Sequence, residues 1–110
     1  MTKSPVHEHY PPTMTEQELQ HAIVRIIRTY LSAPHVKIFL FGSRATGQHT
    51  AQSDYDIGVE TGAPIPLEVL GRLQAELDEL PVLPKIEVVD LHRVSEAFKH
   101  EALASAVVWS

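Results

Sequence analysis

Apolar positions follow two patterns along this chain, one with a helical period and one continuous or alternating. From Thr15 to Tyr30, Leu19, Ala22, Ile23, Ile26, Ile27 and Tyr30 recur at the i, i+3, i+4 spacing of one amphipathic helix stripe. Thr15 with Glu18 three residues later makes a capping box that marks the helix start, and Met14 with Leu19 fits the flanking apolar staple. Pro34 excludes continuation, because the residue before a proline is pushed out of helical dihedrals. Val36 to Phe41 is a nearly continuous apolar run, as in a central strand covered on both faces. Gly42 to Gly47 reads as a turn with room for a short helix from Ser43, and Gln48 to Ser53 as a polar loop.

Tyr55, Ile57 and Val59 alternate with Asp54, Asp56 and Gly58, which predicts a second strand with one apolar face. A loop rich in Gly62, Pro64 and Pro66 follows. Leu67, Leu70, Leu73, Leu77 and Leu80 then predict a helix stopped by Pro81 and Pro84. Lys85 to Leu91 is the third strand. Ser95 is the N-cap of a last helix reaching toward Ala106, with Phe98, Ala102 and Leu103 facing inward. Helix, strand, turn-helix, strand, helix, strand, helix is an α/β (α+β) order, a small mixed sheet flanked by helices.

The chain of 110 residues is long enough for one domain and too short for two. Residues 1–13, with Pro5, Pro11 and Pro12, read as a flexible N-terminal tail, and residues 14–110 as the domain. His7-Glu8-His9 in that tail is read as solvated, since two ligands on a floppy segment bind metal poorly. The absence of cysteine excludes disulfides, zinc-thiolate sites and thiol nucleophiles, and agrees with a cytoplasmic protein. Apolar runs of only a few residues exclude a membrane span, and the polar start does not resemble a signal peptide. A formal charge of −5 argues against strong nucleic-acid binding. It leaves room for a nucleotide whose own cation offsets local acidic charge.

The chemistry concentrates between residues 42 and 56. The first strand ends at Gly42-Ser43, and ten residues later come Asp54 and Asp56, one residue apart. On an extended segment alternate side chains share a face, so both carboxylates aim at one spot. They repel each other unless a cation lies between them, and an all-oxygen cluster suits Mg²⁺. Gly42 lets backbone amides approach an anion, and Ser43 adds a hydroxyl and the start of a helix. Arg44 extends from the same turn toward a β- or γ-phosphate. Tyr55 is assigned to the core and His49 to the exposed loop. Two-metal sites usually need a third acid, and the third strand offers Glu87 and Asp90, which strand parity sends to opposite faces. Glu87, mid-strand between Ile86 and Val88, is the choice. A serine-hydrolase role for Ser43 has no support, because the turn is not Gly-x-Ser-x-Gly.

Phe41-Gly42-Ser43, ten residues, Asp54-Tyr55-Asp56, and then Lys85-Ile86-Glu87-Val88-Val89-Asp90-Leu91 form a pattern far more specific than its parts. Over residues 15–105 the chain resembles the minimal nucleotidyltransferases of the DNA polymerase beta-like superfamily, the MNT-type domains often encoded beside a HEPN-domain toxin. The resemblance implies the polymerase beta-like nucleotidyltransferase fold, with Gly42 and Ser43 holding a nucleoside triphosphate. Asp54, Asp56 and the third-strand acid would act with two Mg²⁺ ions. It implies in-line attack on the α-phosphate of ATP, pyrophosphate release, and AMP transfer onto a tyrosine of a HEPN toxin that is thereby neutralised. Two positions depart from the family pattern: Glu87 stands where Asp is usual, and Thr46 where many relatives carry a basic residue. A rival reading is a non-catalytic interaction protein that covers its partner with apolar residues such as Val107 and Trp109. A domain this small commonly completes its site with a neighbour, so a homo- or hetero-oligomer is expected.

Overall fold

In the computed structural model, which describes residues 14–110, the first helix begins where its cap places it. The Thr15 hydroxyl accepts the Glu18 N–H at 3.1 Å, and Glu18 Oε1 accepts the Thr15 N–H at 2.8 Å. The helix that follows, α1 (Glu16–Tyr30), buries Leu19, Ala22, Ile23, Ile26 and Ile27. Then come β1 (Lys37–Phe41), α2 (Ser43–Thr46), β2 (Tyr55–Glu60), α3 (Leu67–Asp78), β3 (Ile86–Asp90), α4 (Glu96–Ala104) and β4 (Val107–Val108). Among the described residues no helix is long and apolar enough to cross a membrane.

The sheet order is β3-β2-β1-β4. β1 is antiparallel to both β2 and β4, whereas β2 and β3 are parallel, with α3 as the crossover that a parallel pair requires. This is the expected mixed sheet, with one strand more than the sequence pattern predicts. Two valines are too few to show an alternation. β4 is held instead by backbone bonds with Ile38, from the Trp109 N–H to the Ile38 carbonyl at 2.8 Å and from the Ile38 N–H to the Ser110 carbonyl at 2.9 Å.

Strand parity divides the sheet. Ile38, Leu40, Tyr55, Ile57, Val59, Ile86 and Val88 point to one side, where α1 and the Leu73, Leu77 and Leu80 side chains close the core. The other side carries Phe39, Phe41, Asp56, Gly58, Glu60 and Glu87 and is only partly covered, by α4. Phe98 of α4 meets Phe41 edge-on, with ring centroids 6.0 Å apart. Leu91 and Phe41 pack over Gly58, where an added Cβ would stand in ordinary van der Waals contact with them at 3.4 and 3.5 Å.

Two expectations about burial need correction. Leu103 is exposed, and Phe98, although it faces the sheet and meets Phe41, stays exposed as well, because a helix of nine residues covers a small part of this face and only Ala102 of α4 is buried. Leu67 is exposed as well: it begins α3, and Ile65 in the preceding loop takes the buried position instead.

Asp90 is the one polar residue buried in the core among the described residues. Its carboxylate accepts the Ile65 N–H at 2.7 Å and the His92 N–H at 2.9 Å, and Arg93 Nε lies 3.5 Å away. It thus pins the loop before α3 to the end of β3. Replacing Asp90 by Ala leaves the Ile65 and His92 amides without their acceptor and removes the ion pair with Arg93, whose guanidinium keeps its bonds to the Ile65 carbonyl. The expected loss is about 2–4 kcal/mol in a urea-unfolding measurement.

Candidate active site

At the end of β1 the chain turns through Gly42, whose φ of +76° and ψ of −157° lie where other residues are strained. A side chain there would also have to push the Asp56 carboxylate aside. A Cβ on Gly42 would run into Asp56 Oδ2 and stand 3.3 Å from its Cγ. The turn backbone is therefore pressed against the Asp56 carboxylate. Register places Phe41 opposite Asp56, and Asp56 opposite Glu87. The Gly42 turn, Asp56 and Glu87 consequently lie in a row across three neighbouring strands. Asp54 precedes β2 by one residue, is exposed, and shares the parity of Asp56.

The like charges act on one another. Burial first, then Glu87 and then Asp54, push the Asp56 carboxyl above its ordinary value of 3.8. A raised carboxyl pKa means that the folded state favours the protonated acid. That stabilisation is complete below the unfolded value and is lost as pH rises through the folded value. At neutral pH the ionised Asp56 therefore works against the fold. Asp56→Asn is expected to raise Tm at pH 7 and to lose that advantage as the pH is lowered toward 4, as thermal melts at the two pH values would show.

A cation relieves the same repulsion. Among the described residues no three His, Asp or Glu side chains converge closely enough to hold an ion as they stand. The donor set nevertheless fits Mg²⁺ chemically: it is all carboxylate oxygen, and Asp54 and Glu87 are exposed on either side of half-buried Asp56. Beside these acids, α4 and the Gly42-Ser43 turn enclose a cavity of about 420 Å³, lined by Phe41, Gly42, Ser43, Thr46, Phe98 and Glu101 among others. That volume lies in the usual range for small-molecule sites. The sequence reading did not single out Phe98 or Glu101 for this site. The signal was present in the spacing of Phe98, Glu101, Ala102 and Ser105 at i, i+3, i+4 and i+7, one face of α4.

Arg44 is a correction. Its side chain is only 6% exposed, and its guanidinium lies over the Tyr55 ring, which belongs to the core side of the sheet. Its donors are engaged by Tyr55 and by the loop before Asp54. A reach toward a phosphate does not fit this arrangement. Position in the turn suggested phosphate; the parity of Tyr55, opposite to that of Asp54 and Asp56, was the cue to the other side. Tyr55 is buried and His49 exposed, as read from the sequence.

Comparison with known proteins follows the same lines. A family model described as polymerase beta, nucleotidyltransferase, matches residues 21–110. No curated protein sequence matches the chain. Similar solved structures include a toxin-antitoxin with AMP-PNP, with a TM-score of 0.62 and 23% identity over 83% of this chain and 72% of the other. A mutant form of the toxin-antitoxin MntA-HpeT gives a TM-score of 0.67 and 21% identity, covering 83% and 71%. The tri-AMPylated Shewanella oneidensis HEPN toxin in complex with MNT antitoxin gives 0.60 and 21%, covering 87% and 72%. At these identities the likeness is one of fold.

Proposed function

The chain belongs to the polymerase beta nucleotidyltransferase family, and from that premise we propose that it transfers AMP from ATP, with Mg²⁺, onto a hydroxyl of a HEPN-type partner and so acts as an antitoxin. The observation that carries the reading is the row formed by the Gly42 turn, Asp56 and Glu87, with Asp54 beside it. Three carboxylates brought to the open side of a sheet, Asp56 among them at a cost to the fold, need a use. Structures of the same fold that contain a toxin-antitoxin with AMP-PNP and a tri-AMPylated HEPN toxin with its MNT antitoxin support the choice of nucleotide and partner.

Asp54, Asp56 and Glu87 would hold the metal, which when bound neutralises charge on the triphosphate and on the departing pyrophosphate. Gly42 and Ser43 bind the triphosphate: the glycine lets the backbone come close, and Ser43 contributes its hydroxyl at the start of α2. Phe41 and Phe98 wall the adjoining cavity, where the nucleoside lies against the Phe98 ring. The acceptor oxygen attacks the α-phosphorus in line as the bond to the bridging oxygen of the β-phosphate breaks. Glu87, exposed across from Asp56, takes the acceptor proton, and pyrophosphate leaves. Holding acceptor and phosphate in line supplies much of the rate in such transfers.

The experiment is incubation of the protein and its HEPN partner with Mg²⁺ and ATP labelled at the α-phosphate. Label should appear on the partner, on tyrosine, when ATP is labelled at the α-phosphate and not when it is labelled at the γ-phosphate. The exposed apolar residues Leu83, Val107 and Val108 favour the second reading, neutralisation by surface contact alone. In that case the partner stays unlabelled, and neutralisation survives Asp54→Ala combined with Asp56→Ala.

A further inference from the structure

Arg44, one residue past Ser43, is wrapped by the segment that leads to Asp54. Its Nε donates to the Ser53 carbonyl at 2.9 Å and Nη1 to the Tyr55 hydroxyl at 3.0 Å. Nη2 reaches the Thr50 and Ala51 carbonyls, each at 3.3 Å. The guanidinium carbon stands 3.8 Å from the centre of the Tyr55 ring, and Glu16 Oε1 lies 4.0 Å from Nη1. The gripped segment is already a formed turn, closed by the Ser53 N–H on the Thr50 carbonyl at 3.2 Å and the Thr50 N–H on Ser53 Oγ at 3.0 Å.

Tyr55 sits between Asp54 and Asp56. In an extended chain the neighbours of a residue point to the face opposite its own. A Tyr55 ring held on the core side therefore obliges both carboxylates to face the cavity side. Through its backbone Arg44 belongs to the turn that carries Ser43; through its side chain it belongs to the strand that carries the acids.

We infer that Arg44 is a positioning residue that joins the phosphate-binding turn to the metal-binding strand, so that Gly42-Ser43 and Asp54-Tyr55-Asp56 are held as one body. The inference rests on the function proposed above, and it assigns to Arg44 a part that requires no contact with the nucleotide. Lysine cannot substitute. It offers a compact charge without the planar fork that meets four acceptors and lies flat on a ring. Groups that orient metal ligands typically contribute about 10–100-fold to metal affinity.

The test is a Mg²⁺ titration of the thermal stabilisation given by ATP, run on the wild-type protein, Arg44→Lys, Tyr55→Phe and Asp56→Asn, with AMP transfer measured on the same samples. Arg44→Lys should move the Mg²⁺ midpoint up by about tenfold or more, with transfer recovering at high Mg²⁺. Tyr55→Phe keeps the ring and loses one acceptor, so it should move the midpoint in the same direction by a few-fold with little change in Tm. A purely structural part for Arg44 would lower Tm and leave the midpoint at the wild-type value, which overturns the inference. Should Arg44→Lys fail to fold, an unmoved midpoint in Tyr55→Phe overturns it equally. If Asp56→Asn also leaves the Mg²⁺-dependent stabilisation intact, the reading of the site itself falls and this inference falls with it.

Discussion

Replacing Asp56 by alanine is expected to lower AMP transfer by on the order of a thousandfold or more, in the range seen when a group that stabilises transition-state charge is removed. Asp56 stands at the centre of the arrangement, register partner of both Phe41 and Glu87 and pressed against the Gly42 turn. Its loss takes away the best-buried of the three carboxylates. Because that carboxylate is held above its ordinary pKa, its removal should not unfold the protein at neutral pH; Tm should stay or rise. Rate and stability therefore move in opposite directions, which separates a chemical role from a structural one. Initial rates and melts on the same preparation check both. A variant that is as active as the wild type would remove the acid pair from the mechanism.

Glu87 carries the second large effect. Glu87→Ala is expected to reduce transfer by about a hundredfold, and Glu87→Asp to raise it above wild type, since one methylene less brings the carboxylate to the reach usual in this family. The register supports the choice of Glu87, which lies directly across from Asp56, whereas Asp90 is turned into the core and committed to Ile65, His92 and Arg93. Asp90→Ala should accordingly lower stability and leave the rate intact at temperatures well below its melt. Loss of rate with Asp90→Ala alone would reverse the assignment.

Much of this was legible in the residues themselves. The capping box at Thr15, the apolar run before Gly42 and the alternation after Asp54 each encode a local structure with its own physical cause, and each element lies where the pattern puts it. Parity on the third strand separated Glu87 from Asp90 because it depends only on counting. What could not be read was whatever depends on contacts between distant segments. β4 is two residues long and exists only because Ile38 offers it an edge. The exposure of Phe98 depends on how much of the sheet α4 spans, which helical spacing alone does not reveal. Arg44 lies in a turn that sequence reasoning associates with phosphate, yet Tyr55 and a ring of carbonyls compete for it. A guanidinium goes to the acceptors that the fold brings to it.

The central claim is that Asp54, Asp56 and Glu87 gather around a cation next to the triphosphate held at Gly42-Ser43. Its most direct test is a crystal grown with Mn²⁺ and a non-hydrolysable ATP analogue, with anomalous scattering locating the metal. The account predicts manganese bound by oxygens of Asp54 and Asp56, with Glu87 beside it and phosphate oxygens against Ser43. Manganese or nucleotide bound elsewhere, with the three carboxylates turned apart, would contradict it.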